Sequence, residues 1–165
     1  MKKIRWMMLF VLLFLFVFPL TSCMDPISSG GSGSNASAAS VKARFKDLMN
    51  EYRVANGKEK FMEQWVFTKI AQDWVDYQAS IDQYLAHDGF ADREREAERL
   101  LGMSIGYVAE NCAMNRGYAD YAWVAYDGLI HSSGHRKNIL MMTVCGTGVA
   151  RSKSGKYYFC QFFAL

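Results

Sequence analysis

The chain after position 40 alternates between helical and strand-like hydrophobic periods. Apolar residues from Phe45 to Tyr52 recur at helical spacing and predict a first helix, with Ser40 as its N-terminal cap and Asn56-Gly57 at its end. A second helix is predicted from about Glu63 to Ser80. Its apolar stripe consists of Phe67, Ile70, Ala71, Trp74 and Gln78, widened by Trp65 and Val75.

Shorter helices and strands are predicted in the second half of the chain. The predicted helices are a charged one capped by Asp92 and ending near Leu101, one from Tyr118 to Ile130 whose aromatic residues indicate burial on nearly every face, and a short turn from Arg136 to Met141. The predicted strands lie within Ser104–Ala113, Thr147–Arg151 and Lys156–Phe163, and a symmetric turn would place Cys160 opposite Thr147 in the last hairpin. This order is typical of the α+β class.

The N-terminus has the pattern of an export signal. Lys2, Lys3 and Arg5 precede an unbroken apolar run from Trp6 to Leu20. The run is shorter than the roughly 20 residues of a membrane-spanning helix, which favours a secretory signal peptide over residues 1–22.

The end of the apolar run carries a further signal. Leu20-Thr21-Ser22-Cys23 resembles the lipobox of bacterial lipoproteins, and this resemblance implies cleavage before Cys23 and attachment of a lipid to its thiol. An ordinary cleaved signal peptide and an uncleaved anchor are the alternatives. All three predict a location outside the cytoplasm, with residues 23–40 as a flexible tether rich in Ser and Gly and residues 41–165 as one globular domain.

Charge and cysteine content narrow the function classes. Removal of the three cations of the signal segment reduces the net charge from +3 to zero, so no basic field favours a nucleic-acid partner. With Cys23 lipidated, Cys112, Cys145 and Cys160 remain, and none has the CxxC spacing of a zinc site. We interpret Cys112 and Cys160 as buried small residues rather than as a structural disulfide.

Three histidines are the candidate proton carriers and metal ligands: His87, His131 and His135. His131 and His135 are four residues apart, but Gly134 and two serines between them argue against a continuous helix that would place both on one face. No serine or cysteine lies in a recognised hydrolase motif. Spacing alone therefore selects no active site.

Several segments, taken in order, resemble a known family. They are Leu48 to Gly57, His87 with Phe90 and Arg93, Ala109-Glu110-Asn111, Ser132 to Leu140, and the closing segments Gly146 to Ala150 and Gln161 to Ala164. Together they cover nearly all of residues 41–165 and resemble the bacterial branch of the CAP superfamily (the SCP domain), named for cysteine-rich secretory proteins, antigen 5 and pathogenesis-related 1 proteins.

This resemblance implies a three-layer α-β-α sandwich with a central cleft. The cleft residues it implies are His87, Glu110 and His135, with His87 and His135 as ligands for zinc or another divalent metal. Asn111, Arg136 and Gln161 would position the cleft or its ligand. Ser132 stands where eukaryotic members carry a second acid, and Leu129 and Ser133 replace the Trp and Pro that are usual in bacterial members.

Two functions follow as hypotheses. The first is a membrane-anchored, non-enzymatic protein whose cleft binds a lipid or small apolar ligand, a metal or a partner protein. The second is a metal-dependent hydrolase acting on envelope or peptide substrates, with Glu110 as base or third ligand. A purely structural role of the three cleft residues is a further interpretation. We assign no catalytic residue, place His131 and the stretch from Asp92 to Arg99 on the surface, and interpret Cys112 as packed rather than nucleophilic.

Overall fold

The structure is a computed structural model, and it describes residues 36–165. Within them the helices are α1 (Ala38–Ala55), α2 (Trp65–Ile81), α3 (Phe90–Leu101), α4 (Tyr121–His131) and α5 (Ser133–Met141), and the strands are β1 (Met62–Glu63), β2 (Val108–Asn115), β3 (Val144–Arg151) and β4 (Tyr157–Ala164). This content confirms the predicted α+β class.

The strands form a single mixed sheet in the order β1-β3-β4-β2. The two-residue strand β1 runs parallel to β3, and the other neighbours are antiparallel. All eight residues of β4 are buried, because it lies inside the sheet and is covered on both faces. Strand β2 forms one edge of the sheet, and the candidate site residue Glu110 lies on it.

Helices α2 and α3 cover one face of the sheet. The buried stripe of α2 packs on Cys160, Phe162 and neighbouring side chains of β4. Two glycines of β3 allow α2 to approach closely: a Cβ atom at Gly146 would lie 2.0 Å from the backbone of Phe67. These glycines are needed for space between backbones rather than for an unusual backbone angle.

Helices α1, α4 and α5 cover the opposite face and complete the α-β-α sandwich. Phe45 of α1 packs against Phe159 of β4, with ring centroids 5.1 Å apart. Arg53 of α1 is buried without a carboxylate partner. Its guanidinium donates to the backbone carbonyls of Glu59, Ile139 and Met142, which ties α1 to the end of α5.

Several helix boundaries differ from the predictions. Helix α1 begins three residues before position 41, and its N-terminal cap is Ser37 rather than Ser40, since the Ser37 side chain accepts from the Ser40 amide. Helix α3 begins earlier than Asp92 because Gly89 turns the chain with a φ of +71°. The strand predicted within Ser104–Ala113 begins at Val108, as that range allows, but continues two residues past Ala113 to Asn115.

Helix α4 also differs, because it is less buried than its composition indicated. Its buried residues are Ala122, Ala125 and Leu129, while Trp123 is 47% exposed. Small residues therefore form its inner face, and much of its aromatic surface faces solvent or other helices. The sequence-based expectation failed because it counted apolar residues on every face and took each as buried.

The final hairpin is shifted by one residue from the symmetric pairing. Cys160 lies opposite Gly148, and Thr147 lies opposite Gln161. The turn therefore spans residues 152–156, one residue more than the predicted turn, and Gly155 adopts a φ of +86° within it. Cys112, Cys145 and Cys160 are all buried free thiols, as expected for small packed residues.

The predicted signal peptide, Cys23 and residues 23–35 of the predicted tether lie outside the described residues. Residues 38–40, which were assigned to the tether, belong to α1. Among residues 36–165, no helix combines the length and apolar character required to cross a bilayer.

Candidate functional site

A cleft at the β2 edge of the sheet brings together residues from both helical layers. His87 lies in the loop between α2 and α3, Glu110 on β2, and His135 in the first turn of α5. The imidazole centroids of His87 and His135 are 6.3 Å apart. The three residues that the family resemblance selected therefore lie close together, although 48 positions of sequence separate the two histidines.

Helix α2 holds the loop that carries His87. The indole nitrogen of Trp74 donates to the carbonyl of Ala86 at 3.0 Å, and the buried side chain of Gln78 accepts from the amide of Leu85 at 2.8 Å. Both side chains belong to the predicted stripe of α2. The polar groups of this stripe thus fix the backbone immediately before the functional histidine.

Glu110 and Arg93 form a buried ion pair beneath His87. The guanidinium of Arg93 donates through Nε to Oε2 and through Nη2 to Oε1 of Glu110, each at 2.8 Å, and stacks 4.0 Å from the ring of Trp74. The Glu110 side chain is 1% exposed. Such a two-pronged pair sets the carboxylate in one orientation as well as compensating its burial.

The carboxylate of Glu110 also orients His87. Nδ1 of His87 lies 3.0 Å from Oε1 of Glu110, and because a carboxylate can only accept, Nδ1 carries the proton. In the neutral ring, the lone pair is then on Nε2. Hydrogen bonding to Cys112 and to Glu110 raises the pKa of His87 to about 9, although partial burial opposes the shift.

His135 has the opposite electrostatic character. Burial, followed by the charge of His87, lowers its pKa, so His135 is a neutral imidazole at neutral pH. Its position depends on Asn111, which donates to the His135 carbonyl at 3.1 Å and accepts from Asn138 at 3.0 Å. Arg136 donates to the carbonyl of Ile130 and joins α5 to the end of α4.

An open cavity of about 360 Å³ extends from His135 between β2 and α4. Apolar side chains form most of its wall, and a smaller number of polar groups complete the lining. The apolar wall consists of Ala113, Met114, Val124, Ala125 and Leu129, and the remaining lining residues are Tyr84, Cys112, Asn115, Gly128, Ser132 and His135. Burial and nearby acidic groups raise the pKa of Tyr84 to about 12, so its phenol keeps its proton.

Cys112 lines the cavity and also lies close to His87 and Glu110. It lies two residues after Glu110, on the same face of β2, and its residue exposure is 3%. The Cys112 sulfur, a ring nitrogen of His87 and a carboxylate oxygen of Glu110 all lie within 4.8 Å of one another. Cys160 is its direct neighbour across the β2–β4 ladder. Hydrogen bonds with Cys160 and His87 lower the pKa of Cys112, whereas burial raises that of Cys160.

Gln161 and His131 are two further candidate residues. Gln161 pairs with Asn111 across the β2–β4 ladder and therefore faces the side of the sheet opposite Glu110. It is 1% exposed, with its amide 3.8 Å from the sulfur of Cys145. Gln161 thus lies beside Asn111 on the side of the sheet that faces α5, and its expected role in positioning the cleft stays a prediction. His131 is a surface residue, 72% exposed, as expected.

The residues of the cleft fit a metal site based on two histidines. Nε2 of His87, once the metal displaces its proton, and the neutral ring of His135 are suitable nitrogen donors. Both oxygens of Glu110 are already held by Arg93, so its role at such a site is to orient His87 rather than to contact the ion. This geometry disfavours the expectation that Glu110 is a third ligand.

Sequence reasoning did not include Arg93 and Trp74 among the site residues. Arg93 was recognised as part of the His87–Phe90–Arg93 pattern, whose three-residue spacing places His87 before α3 and Arg93 on its first turn. A buried carboxylate such as Glu110 requires a cation, and this requirement was the signal that could have identified Arg93. Trp74 was assigned only to the apolar stripe of α2.

A three-layer sandwich with two histidines meeting at the edge of its sheet defines the class of this domain. Residues 46–164 match the model of the cysteine-rich secretory protein family, also called CAP. The match covers more than half of the chain, and the chain belongs to this family. Comparison with curated proteins gave no significant match.

Solved structures share the fold. An extracellular protein with an SCP domain from Bacillus anthracis aligns with a TM-score of 0.60 at 21% identity, over 76% of this chain and 40% of that one. An outer surface protein from Borrelia burgdorferi aligns with a TM-score of 0.65 at 11% identity, over 78% and 95%. A cysteine-rich secretory protein from Staphylococcus aureus aligns with a TM-score of 0.54 at 19% identity, over 76% and 39%. The chain thus spans about two fifths of the length of the first and third proteins.

Proposed function

We propose that the domain is a non-enzymatic binding module that takes up a small, predominantly apolar molecule in the cavity beside His135. The observation that carries this proposal is the cavity itself, about 360 Å³, with a mostly apolar wall and a few polar groups that include His135. Ligand pockets typically measure about 300 to 1,000 Å³ and combine an apolar wall with a few polar groups that set orientation. The cavity suits a short amphipathic molecule whose polar end lies near His135.

The same proposal places the domain outside the cytoplasm, anchored to a membrane by a lipid on Cys23. The apolar run and lipobox-like segment of the N-terminus support it, as do the names of the extracellular and outer-surface proteins that share the fold. Mass spectrometry of the N-terminal peptide tests the anchor. We expect a lipidated Cys23, and Cys23→Ser should lose both the lipid and cleavage before position 23.

Short fatty acids are suitable probes of the cavity, because they combine an apolar chain with one polar end. We expect hexanoate, octanoate and decanoate, titrated into metal-free protein, to shift the amide resonances of β2 and α4. Affinity should increase with chain length until the cavity is filled, at about 0.8 kcal/mol for each buried methylene. Failure of all three acids to shift these resonances would contradict the proposed binding function.

A cavity-filling variant provides the control. Gly128 of α4 lines the cavity, and a Cβ atom there meets nothing within 4 Å, so Gly128→Leu should fill the cavity and abolish binding without loss of stability. Ala43→Leu adds the same side chain on an exposed position of α1 and should bind normally. Equal binding by both variants would show that the fatty acids bind elsewhere.

Metal-dependent hydrolysis is a second candidate function. The contact between Nδ1 of His87 and Glu110 favours it, because ligand histidines commonly donate their other ring proton to a carboxylate. A bound divalent ion would supply an activated water for hydrolysis. His87 and His135 would hold the ion, with Glu110 orienting His87. Hydrolysis of cell-wall fragments or peptides by zinc-loaded protein, abolished by His87→Ala, is the expected result if this function is correct.

A further inference from the structure

We propose that Cys112 is a thiolate ligand of a divalent metal, alongside His87, and that this makes the cleft selective for zinc-like ions over magnesium and calcium. The inference goes beyond the proposed binding of an apolar molecule and does not depend on catalysis. It adds to the two histidines a ligand that the family resemblance does not supply.

The placement of Cys112 supports this role. Alternation along β2 puts Cys112 on the same face as Glu110, beneath the loop that carries His87. Its sulfur lies within 4.8 Å of a ring nitrogen of His87, so a small shift of the half-exposed imidazole brings both atoms into contact with one ion. Cys112 and His135 also line the same cavity, which gives an ion a route to both.

The available donors are those left by the Arg93 ion pair. The cluster consists of His87, Glu110 and Cys112. Arg93 holds both carboxylate oxygens of Glu110 but does not take part in holding the sulfur of Cys112. On coordination the thiol proton of Cys112 and the Nε2 proton of the His87 cation both pass to solvent, and the sulfur and the ring nitrogen each donate an electron pair to the metal. Thiolate and imidazole ligands favour zinc, cobalt and copper, whereas magnesium and calcium prefer oxygen.

Cys160 is the alternative partner for Cys112. The two residues lie directly opposite each other on antiparallel strands, which is compatible with a disulfide. Both are free thiols in the structure. Cys160 lies deeper, with no exposed surface, and its sulfur is 3.6 Å from Oε2 of Glu110. Cys112 is therefore the thiol that reaches the cleft.

Cobalt(II) provides a direct test, because a thiolate ligand gives an intense sulfur-to-cobalt charge-transfer absorption in the near ultraviolet. The full chain, reduced and purified in detergent in a Cys23→Ser background, is titrated with cobalt and then with zinc as competitor. We expect this absorption to appear and to be displaced by zinc but not by magnesium or calcium. Cys112→Ser should abolish it and weaken zinc binding at least tenfold.

Matched variants make the result specific to Cys112. Cys145→Ala removes a thiol on the face of the sheet opposite Cys112. Cys160→Ala removes the thiol next to Cys112 on β4. Both variants should keep the absorption. If Cys112→Ser does not fold, the double variant Cys145→Ala/Cys160→Ala leaves Cys112 as the single thiol and must still show it.

Three outcomes would overturn the inference. They are cobalt binding without thiolate absorption, absorption that survives Cys112→Ser, and a protein whose native form carries a Cys112–Cys160 disulfide. These outcomes are independent of fatty-acid binding, which is measured on metal-free protein by amide shifts, so failure of one proposal leaves the other open to its own test.

Discussion

At the scale of single residues, the two histidines have different protonation states, because hydrogen bonds with Cys112 and Glu110 raise the pKa of His87 while burial lowers that of His135. Glu110 contacts His87 directly and is itself held by Arg93, whereas the shift at His135 comes from burial and from the charge of His87. A pair of imidazoles thus becomes one cation and one neutral base at the same pH. This difference is the basis of the first prediction.

In metal-free protein, the ring resonances of His87 should titrate near pH 9 and those of His135 below 6.5. Because the pKa of His87 is raised from 6.5, its ionised form stabilises the fold fully below about pH 6.5. That stabilisation is lost as the pH rises through about 9. Nuclear magnetic resonance measures both midpoints, and Glu110→Gln should lower the His87 midpoint. Two histidines titrating together near 6.5 would contradict this assignment.

Arg53 provides a second prediction at this scale. Its buried guanidinium satisfies three backbone carbonyls and lies 4.0 Å from the ring of Phe61. Arg53→Met keeps the bulk but leaves these carbonyls without donors, which should lower the free energy of unfolding by about 3 kcal/mol. Urea denaturation measures the loss. Arg44→Met removes an exposed pair with Asp120 and should change stability little; equal effects would refute the structural role of Arg53.

The residues of the site were only partly predictable from the sequence. His87, Glu110 and His135 followed from ordered family motifs, since no local spacing relates residues from a loop, an edge strand and a short helix. No motif identified Arg93 as the partner of Glu110, although a buried carboxylate requires a cation. The position of Gln161 beside Asn111 could not be predicted, because the register of β4 against β2 depends on long-range pairing that sequence periodicity does not reveal.

At the scale of elements, the contact between α2 and the sheet fixes how the loop of His87 leaves the core. Gly146 and Gly148 lie under successive turns of α2 and let the two backbones come together. Trp74 and Gln78, further along the same helix, then reach the loop that follows it. A displacement of α2 would therefore move His87 as well as the core.

Gly148→Ala tests this close approach. The added Cβ atom would lie 2.3 Å from the backbone oxygen of Ala71, and backbone atoms of a packed helix cannot move aside cheaply. We expect a loss of about 3 kcal/mol in the free energy of unfolding, or failure to fold. Gly106→Ala, where a Cβ atom meets nothing within 4 Å, is the matched control and should retain stability. Similar denaturation midpoints for both variants would argue against close packing at this position.

Element boundaries illustrate what hydrophobic pattern can and cannot predict. The existence of the five helices and of the final hairpin followed from periodicity and turn residues. The two-residue strand β1 did not, because its pairing with β3 comes from tertiary contact rather than from local preference. The burial of α4 was overestimated, since Trp123 and other large side chains were counted without regard to which face met the sheet.

At the scale of the whole molecule, the cleft exists where the two helical layers meet around β2. The layer of α2 and α3 supplies His87 and Arg93, the layer of α4 and α5 supplies His135 and the apolar cavity wall, and β2 contacts both. Glu110 faces one layer and Asn111 the other, as required by alternation along a strand. Adjacent residues of one strand thus position the two histidines.

Asn111 is therefore expected to control the cleft from the side opposite Glu110. Asn111→Ala removes its hydrogen bonds to the carbonyl of His135 and to Asn138, which should cost about 2 kcal/mol of stability and release α5 from β2. Asn138→Ala removes one of these bonds and should have a smaller effect.

In Asn111→Ala, amide hydrogen exchange should accelerate in α5 while β3 and β4 stay protected, because local opening requires only that α5 detach. Octanoate binding should weaken in parallel, since His135 lies at the end of the cavity. Unchanged exchange in α5 with weakened binding would mean that Asn111 acts on the ligand by another route, and an equal increase of exchange throughout the sheet would show that the sandwich opens as one unit.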